Sequence, residues 1–155
     1  MASDPSQLDF WKEPVFPVRA PVSQVDIDRY RTKLKQAMSR AIRESQYDRP
    51  TIAARMARYL GLPSISKASL DAYTAESKTG HDITMPRCLA LVHATDAHWL
   101  WDEAASVQGV TVLFGDEPLL AEIALKEQER RRIVAELKML KARLYEQELE
   151  KREAA

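Results

Sequence analysis

The chain has 155 residues, of which 45% are hydrophobic and 30% are charged, enough for one packed domain or for a small domain with an appendage. Its four glycines are few for a β-sandwich with many tight turns, so the composition favours helices. The 23 basic and 23 acidic side chains cancel. As a property of the whole molecule, this balance argues against indiscriminate coating of nucleic acid or of an anionic membrane.

Membrane and secretory signals are absent from the sequence. No apolar run approaches the roughly 20 residues that a membrane span requires. The first ten residues, MASDPSQLDF, lack the basic and apolar parts of a signal peptide. Cys88 is the only cysteine, which excludes an internal disulfide and is typical of a reducing compartment. We therefore expect a cytoplasmic protein that has no membrane partner.

The neutral total conceals a regional separation of charge. Residues 1–18 carry one base and three acids, a net charge of −2. Residues 19–87 carry thirteen bases and seven acids, a net charge of +6, and residues 88–155 carry nine and thirteen, a net charge of −4. A partner senses regional charge, because the Debye length is only about 10 Å. A nucleic-acid-binding motif would therefore be attracted most strongly to its anionic partner if it lay in the middle segment.

Residues 1–25 form the first of three predicted regions, an extended N-terminal arm. They hold four of the eight prolines and show no helical periodicity. The aromatic residues Phe10, Trp11 and Phe16 are unusual for a disordered tail. We favour an arm that packs back on the body of the protein, with docking on a protein partner as the alternative.

Residues 26–115 form the second region, in which five helices are predicted. The first runs from Asp26 to Ser45, with an apolar stripe at three-to-four spacing and basic residues, including Lys35, on the other faces. Asp48 is the expected cap of a second helix that ends near residue 60. Ser64 or Ser66 caps a third, which extends to about residue 75. The fourth and fifth cover residues 86–93 and about 97–108.

The second and third helices have the pattern of a helix-turn-helix motif. Such a motif needs a support helix, a break, and a recognition helix that begins with small polar residues. In the third helix Leu70 and Tyr73 are expected to face inward. The residues expected to face outward, into a major groove about 12 Å wide, are Lys67, Ser69, Asp71, Ala72 and Thr74.

On these residues the chain resembles the lambda-repressor/Cro-like helix-turn-helix proteins, over about residues 48–108. The resemblance rests on Ile52-Ala53, on Ile65-Ser66 with Leu70, and on the segment Glu76-Ser-Lys-Thr-Gly. The segment SKASLDAYTAESKTGH, followed by a helix and a Glu/Arg/Leu-rich tail, is similar to small regulators of Mu-like transposable phages and prophages. The family's turn glycine is Ala57 here, and RYLGLPS lengthens the turn.

The resemblance implies a five-helix, all-α domain that binds double-stranded DNA in the cytoplasm of a bacterial host and needs no cofactor. The residues that it places at base edges are Ser66, Lys67, Ser69, Asp71 and Thr74. The residues that it places near phosphates, which fix register without reading sequence, are Arg49, Thr51, Arg55 and Lys78.

Residues 116–155 form the third region, a single long C-terminal helix. A four-three spacing of apolar residues is best developed at Ile133, Leu137, Leu140 and Leu144, and Lys126 and Arg130 interrupt the same track. The pattern is typical of a short two-stranded coiled coil, or of a helix that pairs with another helix. We expect a homodimer or a higher homo-oligomer through this helix.

Enzymatic and metal chemistry are not expected. Cys88, His93 and His98 are spaced by five residues, which does not align them on one helix face for a metal ion. The chain contains no GxSxG elbow, Walker loop or GxGxxG segment.

Two classes of function remain open from the sequence. The first is a sequence-specific transcription regulator that dimerises through its long helix. The second is a DNA-binding phage assembly factor, such as a small-terminase-like packaging protein or a transposition accessory protein, that multimerises through the same helix. A protein-interaction adaptor that has lost DNA binding is a third, weaker class.

Overall fold

In a computed structural model, described for Phe16 and for residues 18–155, every regular element is an α-helix. The helices are α1 (Ile27–Glu44), α2 (Arg49–Leu60), α3 (Lys67–Thr74), α4 (Met85–Thr95), α5 (Trp99–Ala105) and α6 (Glu117–Glu153). Residues 18–113 form one compact unit, and residues 114–155 belong to another. The all-α class and the long C-terminal helix are thereby confirmed.

Side-chain caps begin the first three helices. The Asp26 carboxylate accepts a hydrogen bond from the Arg29 N–H at the start of α1, and the Asp48 carboxylate accepts one from the Thr51 N–H at the start of α2. Hydrogen bonds from Thr51 hold the pKa of Asp48 below its ordinary value. Ser66 caps α3. Each cap satisfies an N–H that the first turn of a helix leaves without a partner.

The unit of residues 18–113 is built around α2 packed on α4, with α1, α3 and α5 completing the core. All five helices contribute a large side chain with almost no exposed surface. These side chains are Met38, Ile52, Met56, Leu70, Leu91 and Leu100. Full burial of one such side chain contributes about 1.5–3 kcal/mol relative to its exposure, so the five helices depend on one shared core.

The α5 helix is shorter than the sequence predicted, because the chain turns to meet its own N-terminal segment. The helix ends at Ala105, and the Val107 carbonyl accepts a hydrogen bond from the Val22 N–H at 3.0 Å. Gly109 has a φ of +72°, and a Cβ atom there would lie 2.6 Å from the Pro21 nitrogen. Glycine is therefore required at this turn by both its backbone angle and its close contact.

A bidentate ion pair fastens this N-terminal segment to α5. Arg19 Nη1 and Nη2 donate to Asp102 Oδ1 and Oδ2 at 2.6 and 2.8 Å, and Arg19 Nη1 also donates to the Val110 carbonyl at 3.1 Å. The Val112 N–H donates to Asp102 Oδ1 at 2.8 Å. The hydrogen bond from Arg19 is the main reason that the pKa of Asp102 lies below its ordinary value.

Residues 18–22, which the sequence placed in the extended arm, thus contact the end of α5 and the segment that follows it. Phe16 is half-buried, and Phe10 and Trp11 lie outside the described residues. Within residues 18–155, no helix combines the length and the apolar character that a membrane crossing demands.

We predict that Asp102→Asn lowers the free energy of unfolding, because the variant leaves the Arg19 guanidinium without its charged acceptor. A carboxyl whose folded pKa is depressed stabilises the fold above its unfolded pKa, about 3.9, and loses that contribution as the pH falls. The difference between wild type and variant should therefore be large at pH 7 and shrink below pH 4 in chemical denaturation.

The matched control is Asp28→Asn, because the Asp28 side chain is 86% exposed. We expect a change within about 0.5 kcal/mol for it. Equal effects of the two substitutions at pH 7 would contradict the role assigned to the Arg19–Asp102 pair.

Candidate nucleic-acid interface

The second helix continues one turn beyond Ala57, the position of the turn glycine in the resembled family. Ala57 is buried within α2, and the helix ends at Gly61, which has a φ of +65°. The Gly61 N–H donates to the Arg58 carbonyl at 3.2 Å, and the Leu62 N–H donates to the Ala57 carbonyl at 2.9 Å. A left-handed glycine is the usual way to end a helix. The break between α2 and α3 therefore occupies residues 61–66.

A buried residue and a serine cap fix the start of α3. Ile65 is 7% exposed and belongs to the core. Of the two serines that the sequence offered as caps, Ser66 fills the role, and its Oγ accepts a hydrogen bond from the Ser69 N–H at 3.1 Å. The Ser66 and Ser69 hydroxyl oxygens lie 2.9 Å apart. Ser66 is exposed and Ser69 is half-buried, so the first turn of α3 reaches the surface as a small polar face.

The inner face of α3 differs from the expectation at one position. Leu70 is fully buried and Tyr73 is half-buried, in agreement with the sequence. Ala72, which was expected to face outward, is only 7% exposed. The expectation was wrong because α1 packs against α3 and covers this side.

Lys35 of α1 is the side chain that holds the far end of α3. The prediction that it lies on a solvent-facing side of α1 is wrong, since the residue is 3% exposed. Its Nζ donates to the carbonyls of Ala72, Tyr73 and His81 at 3.3, 3.4 and 3.0 Å. Three donors thus meet three carbonyls, two of which belong to the last turn of α3, where helical carbonyls lack partners and a cation is favourable.

Four of the nine predicted DNA-binding residues form one network, here called the α3 polar cluster: Arg49, Lys67, Asp71 and Thr74. Arg49 Nη1 donates to Asp71 Oδ1 at 2.9 Å and to Thr74 Oγ1 at 3.3 Å. Lys67 Nζ lies 3.5 Å from Asp71 Oδ2. Two cations surround one carboxylate, so the cluster keeps an excess positive charge, and the Arg49 contact joins the beginning of α2 to α3.

Arg55 lies apart from the α3 polar cluster. Its guanidinium stacks over the Tyr47 ring at 4.2 Å, and its Nε donates to the Ala94 carbonyl of α4 at 3.3 Å. Arg55 follows Arg49 by six residues, which sets the two about 120° apart around α2 and so on different sides of it. Thr51 is exposed and shares the Arg55 side, because it lies one turn earlier. The structure therefore does not bring the nine residues onto one surface.

Lys78, the ninth predicted residue, is exposed in the loop between α3 and α4. Arg43 and Arg58 are also exposed, and within the described residues none of the three makes an ion pair. Residues 18–113 contain thirteen bases and ten acids, a net charge of +3. This unit therefore has a net positive charge and carries three exposed basic side chains that form no ion pair with a described residue, although the whole chain is neutral.

One cluster beside the predicted residues was not anticipated. Tyr59 of α2 and His93 of α4 stack with ring centroids 4.1 Å apart and an interplanar angle of 17°. With Arg55 and Arg58 they line a cleft of about 410 Å³. The spacing of Arg55, Arg58 and Tyr59 is visible in the sequence as one helix face, but nothing in the sequence indicates that His93 joins them.

The chain finds no match among protein-family models, curated proteins or solved structures. Among the described residues, no group of three or more His, Cys, Asp and Glu side chains is arranged to hold a metal ion. The geometry and charge of residues 18–113 and the surface of α6 are therefore the features from which a function can be inferred.

We predict that Lys35→Met lowers the free energy of unfolding by about 1–3 kcal/mol, because it leaves carbonyls at the end of α3 without their donor. Amide hydrogen exchange should accelerate in residues 72–84, since the ammonium joins α3 to the loop that follows it.

Lys33→Met is the matched control on the same helix. The Lys33 side chain is 56% exposed and forms a surface ion pair with Glu103 at 3.2 Å, so its loss should change stability by less than about 1 kcal/mol. Unchanged exchange in Lys35→Met would refute the anchoring role of Lys35.

Proposed function

We propose that the protein is a sequence-specific, double-stranded DNA-binding regulatory protein of a phage or prophage, and that α3 enters the major groove. The observation that carries this proposal is the first turn of α3, an exposed polar surface held from behind by α1 and α2. A recognition helix contacts bases mainly through its N-terminal residues while another helix crosses the phosphate backbone. The net charge of +3 on residues 18–113 supports the same partner.

In this proposal Ser66, Lys67 and Ser69 contact base edges, because they form the exposed first turn of α3. Hydroxyl groups bond to several bases, and lysine bonds best to guanine. Asp71 and Thr74 also face the groove, but their bonds to Arg49 make them positioning residues for the angle between α2 and α3.

Phosphate contacts come from residues outside the recognition helix. Thr51 and Lys78 are exposed, although the Thr51 side chain already forms a hydrogen bond with the Asp48 carboxylate. Arg49 adds its charge near α3. Arg55 is held by the Ala94 carbonyl and the Tyr47 ring, on a different side of α2 from the contact between Arg49 and α3. We therefore place Arg55 last among the four phosphate candidates.

Self-association through α6 is the second part of the proposal. The helix has 37 residues and no buried residue. Along its seam, Ile133, Leu137, Leu140 and Leu144 are 50–59% exposed. Helices gain most of their stability from packing, so a partner that covers this seam stabilises α6. A dimer would then read two half-sites about 34 Å apart, one turn of DNA.

A DNA-binding phage assembly factor is the second candidate, favoured by apolar residues on a further side of α6. Leu125, Met139 and Leu149 lie away from the seam and are 55%, 60% and 40% exposed. More than one apolar face suits a multimer larger than a dimer. The mass of the full-length protein in solution separates the two, since a dimer favours the regulator and a ring favours the assembly factor.

We predict that Lys67→Glu combined with Ser69→Glu abolishes specific DNA binding in a gel-shift titration. The double variant adds three negative charges at the first turn of α3. It should preserve the fold, because Glu at residue 69 completes a capping box with Ser66.

A charge-matched control is available on α6. Lys138→Glu with Ala142→Glu adds the same three charges at exposed positions outside the seam, and it should leave specific affinity nearly unchanged. Unaltered binding by the α3 variant, or equal loss in both variants, would sink the recognition-helix assignment.

We also predict that Leu137→Glu with Leu144→Glu dissociates the oligomer and weakens DNA affinity. A charged side chain in an apolar seam loses its hydration and finds no compensating partner there. Separated copies then bind two half-sites more weakly than linked copies do. Sedimentation and DNA titration of the same sample measure both effects.

Met139→Glu with Leu149→Glu is the corresponding control, because these exposed apolar residues lie off the seam. If the control dissociates the protein as fully as the seam variant does, the seam is not the contact surface.

The experiment that tests the central proposal is selection of bound sequences from a random double-stranded DNA pool with the full-length protein. A recovered motif made of two half-sites supports the regulator, and affinity that falls steeply with salt indicates phosphate contacts. Recovery of no enriched sequence would overturn sequence-specific binding.

A further inference from the structure

The charges that flank the α6 seam distinguish between two ways in which a second copy of this chain can cover it. In heptad terms, positions a of α6 are residues 123, 130, 137, 144 and 151, and positions d are residues 119, 126, 133, 140 and 147. The flanking positions are then g, at residues 122, 129, 136, 143 and 150, and e, at residues 120, 127, 134, 141 and 148. Charged residues at e and g select partner and orientation in coiled coils.

A parallel, in-register pair brings each g residue beside the e residue five positions later on the other helix. Two of these contacts are attractive: Glu136 meets Lys141, and Arg143 meets Glu148. One is repulsive, between Glu122 and Glu127. Each flanking contact occurs twice by symmetry, so attraction exceeds repulsion among the flanking contacts. Within the seam, the same register sets Lys126, Arg130 and Lys151 each against its own copy.

An antiparallel pair that keeps the apolar seam together sets Ile133 against Leu144 and Leu137 against Leu140. The flanking contacts then join g to g and e to e. Only Glu136 with Arg143 is attractive, while Glu127 with Glu148 and Glu129 with Glu150 are repulsive. Within the seam, Lys126 also faces Lys151. Attractive contacts are therefore fewer and repulsive contacts more numerous than in the parallel pair, and since like charges across a helix pair destabilise it, the antiparallel arrangement is the less favourable of the two.

We propose that the α6 seam binds a second copy of the same chain in a parallel, in-register coiled coil. This inference deepens the proposed self-association and does not depend on DNA binding. The N-terminal ends of the two α6 helices then lie side by side, so both copies of residues 18–113 connect to the same end of the coil. A head-to-tail or antiparallel assembly would connect them at different ends.

Cysteine crosslinking of the full-length, DNA-free protein tests the orientation. The background is Cys88→Ala, which removes the one native cysteine. In a parallel pair, Ile123→Cys places the two thiols opposite each other and should form a covalent dimer under mild oxidation. In the antiparallel pair, residue 123 faces residue 154, and the two thiols lie about 46 Å apart at 1.5 Å per residue.

Leu125→Cys is the matched control for crosslinking. Leu125 is 55% exposed and Ile123 is 48% exposed, but residue 125 occupies position c, away from the seam. Rapid dimer formation by Ile123→Cys alone is expected. Equal rates for both variants, or no covalent dimer for Ile123→Cys, would overturn the parallel arrangement.

A charge-reversing substitution is expected to change the dimer dissociation constant in opposite directions for the two orientations. Glu148→Lys replaces attraction with repulsion against Arg143 in the parallel pair, so the dimer dissociation constant should rise by about tenfold over two symmetric contacts. In the antiparallel pair the same substitution removes a repulsion with Glu127, so the dimer should tighten.

Adding Arg143→Glu to Glu148→Lys restores opposite charges across a parallel seam and should return the dissociation constant close to that of wild type. In the antiparallel pair the double variant sets the new carboxylate at residue 143 against Glu136, so its dimer should be weaker than that of Glu148→Lys alone. Sedimentation equilibrium at low salt measures both variants, with circular dichroism to verify equal helicity. A tighter dimer for Glu148→Lys, or no rescue by the double variant, contradicts the proposal. DNA titration of the same samples reports separately on the proposed recognition helix.

Discussion

The position of α3 depends on the contact between the Lys35 ammonium and three backbone carbonyls. An eight-residue helix is too short to be stable alone in water, so its orientation must be imposed by neighbours. Ser66 satisfies its first turn, Leu70 inserts into the core, and Lys35 satisfies its last turn. Because the ammonium also binds the His81 carbonyl, the same contact fixes the loop that leads to α4.

The second constraint on α3 comes from α2 through Arg49. This guanidinium bonds to Asp71 and Thr74, so the beginning of α2 and the outer face of α3 move together. A residue that the sequence pattern assigns to phosphate contact therefore bonds to two residues that it assigns to base contact. An arginine that orients the recognition surface and also adds charge beside it serves both purposes with one side chain.

The sequence predicted most of the helices, because their caps and periodicity are local properties. Asp26 and Asp48 begin α1 and α2 as expected, and Pro50 stands in the first turn of α2. The burial of Lys35 was not predictable in this way. Its position lies at the edge of the α1 apolar stripe, where a long basic side chain usually reaches solvent. The buried position is favourable because the ammonium donates to the carbonyls of α3. The periodicity of α1 does not indicate which helix packs against Lys35.

The two arginines of α2 that belong to the candidate site contact different helices. The sequence analysis placed Arg49 and Arg55 in one phosphate-facing set. It did not indicate that Arg49 contacts α3 and that Arg55 contacts α4. For α6, in contrast, spacing and charge determine the expected pairing, because every heptad position faces either solvent or the same partner. A neutral chain binds DNA weakly through charge alone. In the proposed dimer, the joining of two moderately basic units at one end of a coil raises DNA affinity through effective concentration, and only for DNA that presents two correctly spaced half-sites.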